Sequence, residues 1–201
     1  MIHPDPANRF VLQTDLGQDR IYVYRFDKQT GQLGPADTPF ISLPTGDGPR
    51  HFVFHPHRGW MYSIQEEAST IVFFHYQPET GSLTPQQSVS TLPKGFTGTN
   101  FCSAIMLSTD ARFLYAANRL HNSIAVFAVG TQGHLEWVGE AWTRGDYPSH
   151  FNLDPSGTFL YACNPRSDQI TSFRIDKETG LLTFTGRYTP VGTPLCITFL
   201  A

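Results

Sequence analysis

The stretch FLYAANRLHNSIAVFAVGTQGHL, Phe113 to Leu135, reads as two short runs of aromatic and aliphatic residues joined by a polar turn and closed by Gly with Leu two positions on. It recurs three times. FVLQTDLGQDRIYVYRFDKQTGQL (Phe10 to Leu33), WMYSIQEEASTIVFFHYQPETGSL (Trp60 to Leu83) and FLYACNPRSDQITSFRIDKETGLL (Phe159 to Leu182) align with it by eye. The closing Gly-x-Leu marks at Gly31, Gly81, Gly133 and Gly180 are 50, 52 and 47 residues apart. Runs rich in Val, Ile, Phe and Tyr between polar turns are strand-forming, and no stretch shows the 3.6-residue apolar rhythm of a helix.

A further strand precedes three of the copies, in PRHFVFHP (Pro49 to Pro56), FCSAIMLSTD (Phe101 to Asp110) and PSHFNLDPSG (Pro148 to Gly157). A weaker one follows each Gly-x-Leu, as in LEWVGEAWT (Leu135 to Thr143). Four antiparallel strands per repeat of this length describe a β-propeller blade. The expected fold is therefore all-β: four blade units of four strands, approximately 1–48, 49–99, 100–147 and 148–193, with a terminal strand at 194–201. The first unit lacks a PxxF strand. The terminal strand either completes it and makes four blades, or opens a fifth blade of a larger ring.

Composition narrows the function. Charged residues make up only 15% with a formal net of −3, so the basic excess that nucleic acid requires is missing. No run of 18 apolar residues and no leader is visible, which points away from membranes and towards a cytoplasmic location. Cys102, Cys163 and Cys196 have no CxxC spacing and read as core thiols. No HExxH, phosphate loop, dinucleotide fingerprint or nucleophile elbow occurs, so neither metal nor cofactor is expected.

Loops entering and leaving the innermost strands form the usual binding face of a propeller. Pro49 directs Arg50 and His51 to that mouth, where a guanidinium fork suits a carboxylate or phosphate and an imidazole can carry a proton. Glu66 follows the strand MYSI and is either a general base, a partner for Arg50, or a solvated turn acid. Asn118-Arg119 takes the same unit position as Gln65-Glu66, so ring stacking brings Arg50, Glu66 and Arg119 within reach of one another. The bland alternative for each arginine is an ion pair on a blade edge. His3 is read in an HP turn equivalent to that of His55, and His150 in PSHF is expected to face the channel.

These elements, with HPDPANRFV, GPRHFVFHP, YSIQEEASTIVFF and GTPLCITF, resemble the seven-bladed β-propeller lactonases, a family that includes bacterial-type 6-phosphogluconolactonase and carboxy-cis,cis-muconate cyclase. The likeness runs over almost the whole chain, which is similar to the last four of the seven blades. It implies catalytic roles for His3, Arg50, Glu66 and Arg119, and substrate binding by His51, His150 and Asn118. Two departures stand out: Ser149 and His150 occupy a place where the family often has Arg, and Gln65 precedes Glu66 where Asn is usual. The implied activity is hydrolysis of a sugar-acid lactone on an anionic substrate. Muconate lactonisation is one alternative and a non-catalytic scaffold, self-associating through open blade edges, is another.

Overall fold

The computed structural model describes residues 1–200, and Ala201, the last residue of the expected terminal strand, lies outside them. Sixteen strands form four four-stranded antiparallel sheets in chain order. The first contains β1 (Ile2–Pro4), β2 (Phe10–Asp15), β3 (Arg20–Phe26) and β4 (Leu33–Ser42). The second contains β5 (Pro49–Phe54), β6 (Trp60–Gln65), β7 (Thr70–Gln77) and β8 (Ser82–Ser90). The third contains β9 (Cys102–Leu107), β10 (Phe113–Asn118), β11 (Ser123–Val129) and β12 (Leu135–Trp142). The fourth contains β13 (His150–Leu153), β14 (Phe159–Asn164), β15 (Gln169–Ile175) and β16 (Leu182–Pro190), with a short 3-10 turn at Pro165–Ser167.

The cores lie between sheets. One joins the first sheet to the second through Phe10, Leu12, Phe52 and Phe74, one the second to the third through Tyr62, Phe73, Leu114 and Phe127, and one the third to the fourth through Tyr115, Phe151, Leu160 and Phe173. Among the described residues no core joins the fourth sheet to the first, so the sheets form an arc of four blades. Face-to-face stacking of flat apolar sheets makes room for large rings between blades, and Phe10, Tyr62, Phe73, Tyr115, Phe127 and Phe173 are fully buried there.

The recurring glycine is where the blades meet. Gly31, Gly81, Gly133 and Gly180 all have φ between +72° and +89°. A Cβ on Gly133 would sit 2.4 Å from the Phe73 ring, and one on Gly180 2.4 Å from that of Phe113, each ring belonging to the preceding blade. Tyr62 and Tyr115 donate their hydroxyls across the same seams, to the carbonyls of Gly133 and Gly180 at 2.9 and 3.1 Å. Gly31, in the first sheet described, has open space beside it.

Two expectations about the ends are corrected. The first sheet already has its innermost strand, since β1 pairs Ile2 with Gln13 and Pro4 with Val11. Residues 194–200 belong to no sheet. They find side-chain partners instead of a backbone ladder: Asn152 Nδ2 donates to the Ile197 carbonyl at 3.0 Å, and Phe199 packs on Tyr161. Cys196 is exposed rather than a core thiol, whereas Cys102 and Cys163 are buried.

Replacing Gly133 with Ala adds a left-handed strain of about 1–2 kcal/mol to an overpacking cost of about 1–3 kcal/mol. Gly31→Ala carries the strain alone. Denaturant melts of the two variants are expected to show the larger loss for Gly133→Ala; equal losses would mean that the seam does not press on this glycine.

Candidate active site

Each sheet has a hairpin between its second and third strands, and a left-handed residue sits in it: Asp19, Ser69, Asn122 or Asp168, with φ between +49° and +55°. Asp, Asn and Ser tolerate this region because their short polar side chains bond locally. Here those side chains reach the loop that follows the fourth strand. Asp19 accepts from Gly46 and Gly48 N at 2.9 and 2.8 Å, and these bonds hold its carboxyl below the usual range. Asn122 Oδ1 accepts from Tyr147 N at 2.8 Å, Asp168 Oδ1 from Thr193 N at 2.8 Å, and Ser69 bonds both the amide and the carbonyl of Asn100.

The loop held by Asp19 delivers Arg50. In the β5–β6 ladder Pro49 faces Gln65 and His51 faces Ile64, so Arg50 is the extra residue of a β-bulge. A bulge re-aims its side chain, and Arg50 turns from the sheet towards the next blade. Its Nη1 donates to the Ser103 carbonyl at 2.5 Å, while Thr14 Oγ1 holds its own carbonyl at 2.7 Å. Glu66 comes next to it because its N–H is fixed to the Gly48 carbonyl at 2.7 Å.

The charged groups converge on Glu66. Arg50 Nε lies 3.0 Å from Glu66 Oε2, and Arg119 Nη2 lies 2.5 Å from Oε1, the latter a close ionic contact without good hydrogen-bond alignment. The side chains of Arg50, Glu66 and Arg119 are 25%, 17% and 11% exposed, so all three are largely withdrawn from solvent yet reachable from it. Burial and the neighbouring Arg119 push the Arg50 guanidinium pKa down, against the pull of Glu66.

His51 stands beside this group, with its ring nitrogens 3.2 and 3.4 Å from Arg50 Nη1. Burial, then the Arg50 charge, push its pKa down to about 3, so the ring is neutral near pH 7. His150 is shifted the same way by burial and by Arg50, and its Nδ1 receives the Ile197 N–H at 3.4 Å.

Two residues expected in the site fall elsewhere. His3 lies within β1, opposite Leu12, and not in a turn. The turn equivalent to His55-Pro56 is Asp5-Pro6, since Asp5 N bonds the Phe10 carbonyl as His55 N bonds that of Trp60. The His3 ring bonds the Pro4 carbonyl and meets Phe52 edge-on. It lines a largely apolar hollow of about 500 Å³ with Phe52, Val53, Ile105 and Met106, which includes none of Arg50, Glu66 and Arg119.

Asn118 is fully buried. Its Nδ2 donates to the Thr91 carbonyl and Ser123 Oγ, and its Oδ1 accepts from Thr91, Asn100 and Cys102, leaving nothing for a substrate. It is a structural amide that ties the strand ends preceding Arg119. Sequence reading also missed Tyr147 and Arg166. The Arg166 and Arg119 guanidiniums lie 3.7 and 5.2 Å from the Tyr147 ring centre. The one available signal was Arg166 two places after Asn164, the counterpart of Asn118.

Among the described residues, no group of three or more His, Cys, Asp and Glu side chains is arranged to hold a metal. No helix among them is long and apolar enough to cross a membrane.

This fold and site can be set beside known proteins. Residues 1–199 match the family model for the lactonase, 7-bladed β-propeller. The chain belongs to that family. The 6-phosphogluconolactonase of Bacillus subtilis (strain 168) is 37% identical over 196 residues, covering 97% of this chain and 55% of that protein. Its namesake in Yersinia pestis (strain Pestoides F) is 34% identical over 189 residues, covering 94% and 56%. Among solved structures, a protein from Lactobacillus plantarum superposes with a TM-score of 0.94 at 35% identity, covering all of this chain and 58% of that one. The periplasmic gluconolactonase of Pseudomonas aeruginosa does so with a TM-score of 0.94 at 31% identity, covering 100% and 56%. The chain thus spans little more than half the length of these relatives. The expected cytoplasmic location is overturned, because the Pseudomonas relative, alike over this whole chain, is a periplasmic protein.

Two outcomes follow for the residues around the site. Asn118→Ala strips partners from Thr91, Asn100 and Ser123 and is expected to cost about 2–4 kcal/mol in a denaturant melt; a loss under 0.5 kcal/mol, on the order of a surface change, would contradict the structural role. His51 has a folded-state pKa below its unfolded value, so the unfolded chain takes up the proton first as pH falls. Stability is then expected to drop between pH 6.5 and about 3, by up to about 1.4 kcal/mol per pH unit, with no contribution above that window. Comparing melts of His51→Gln with the parent across pH isolates this slope.

Proposed function

We propose that the chain carries the reactive centre of a sugar-acid lactone hydrolase acting on a 6-phosphogluconolactone-like substrate. The observation that supports it best is the Glu66 carboxylate held between Arg50 and Arg119 at the blade mouth. The names of the Bacillus and Yersinia relatives point the same way.

Lactone hydrolysis needs a base for water and positive groups where the carbonyl oxygen becomes an oxyanion. Each carboxylate oxygen of Glu66 contacts one arginine and keeps a second lone pair for water. In this reading Glu66 takes a proton from the water that adds to the carbonyl carbon. Arg50 and Arg119 donate to the oxyanion, which costs no reorganisation because Glu66 and the Ser103 carbonyl have already oriented them. When the tetrahedral intermediate collapses, the bond from carbonyl carbon to ring oxygen breaks and the Glu66 proton passes to that oxygen, releasing the open hydroxy acid. No covalent enzyme intermediate is required.

Glu66→Gln keeps the shape but not the base, and is expected to lower kcat by about 10²–10⁴-fold. Arg50→Ala removes an oxyanion donor, with an expected loss of about 10²–10³-fold. Both are measured against spontaneous lactone opening, with carboxymuconate as a second substrate. If neither substitution lowers turnover the site is misplaced, and turnover of carboxymuconate alone would replace hydrolysis with ring closure.

A further inference from the structure

Of the three arginines around Tyr147 and Glu66, one has no acid to answer. Arg50 and Arg119 share Glu66, whereas no carboxylate among the described residues lies within ion-pair distance of the Arg166 guanidinium. It is nevertheless held in place. Its backbone N–H bonds the Asp146 carbonyl at 3.4 Å, and the adjacent Ser167 Oγ accepts from Asp146 N at 2.9 Å, pinning the 3-10 turn to the loop before β13. Tyr147 in that loop is fixed in turn by Asn122, and Arg166 lies over its ring at 3.7 Å.

A guanidinium stacked on a ring spends its face and leaves its N–H edge free. That edge is a planar fork, exposed to solvent, matched to two oxygens of a phosphate. Tyr147 also has the Arg119 guanidinium 5.2 Å from its ring centre, so one ring is shared by Arg166 and an arginine of the Glu66 cluster. Arg50 and Arg119 thus share one carboxylate, whereas Arg166 has none within ion-pair distance among the described residues.

We propose that Arg166, stacked on Tyr147, binds the phosphate of a phosphorylated sugar-acid lactone and so selects it over the unphosphorylated lactone. This rests on the hydrolase reading for its substrate. It goes beyond that reading by separating phosphate recognition from the Arg50–Glu66–Arg119 centre.

The test uses the whole chain, its Arg166→Gln and Arg166→Lys variants, and two ligand pairs. Titration calorimetry compares 6-phosphogluconate with gluconate, and kinetics compare the two corresponding lactones. The parent is expected to prefer the phosphorylated member of each pair. In Arg166→Gln that preference should fall by about 10–100-fold, the value of one charge-assisted hydrogen-bonded contact. Arg166→Lys, with a point charge and no planar fork, should lie between. An unchanged preference, or an equal loss for both members, overturns the assignment. If the parent opens neither lactone, the hydrolase reading falls alone. The calorimetry then still decides: loss of phosphate preference in Arg166→Gln supports the assignment, and no preference in the parent refutes it.

Discussion

A left-handed residue in each β-hairpin ties its own blade to the loop that follows that blade's last strand, and the geometry of the mouth depends on that bond. The constraint is local in origin, since Asp and Asn are among the non-glycine residues best tolerated at φ near +50°. Its consequence is long-range. Asp19 on the first blade sets the loop that presents Arg50 on the second, and Asn122 on the third sets Tyr147 before the fourth. Without these bonds, the loops carrying the charged groups would be free to move relative to the sheets beneath them.

Repetition also explains how one scaffold carries different chemistry at equivalent places. Gln65, Asn118 and Asn164 end the second strand of three successive blades, and all three are buried amides. The following residues are Glu66, Arg119 and Pro165, and the next are Glu67, Leu120 and Arg166. The amide layer is structural, and the layer above it is free to vary. Variation there places an acid on one blade and a base on its neighbour, and stacking turns that difference into an ion pair across the seam.

Much of this was legible in the residues. The spaced Gly-x-Leu marks disclosed the blades because a positive φ favours glycine at all four and a ring from the preceding sheet demands it at Gly81, Gly133 and Gly180. Arg50, Glu66 and Arg119 were legible as polar residues at recurring strand ends. His3 was misplaced because HP repeats at His55-Pro56 by sequence, while the ladder aligns Asp5-Pro6 with that turn. Asn118 was misjudged because a polar residue beside an arginine looks like a site, and only its hydrogen-bond partners show that its capacity is spent.

The sequence alone determined the repeat, the strand-forming periodicity and the placing of charge at strand ends, because these follow from backbone preferences that act over a few residues. The tertiary structure decided which charges meet, through a one-residue bulge at Arg50 and the seam between two blades. It also decided that Arg166 lies on Tyr147, and that residues 194–200 run beside a sheet without joining one. Such outcomes depend on register and on packing between elements distant in the chain, and a shift of one residue in a strand sends a side chain to the opposite face.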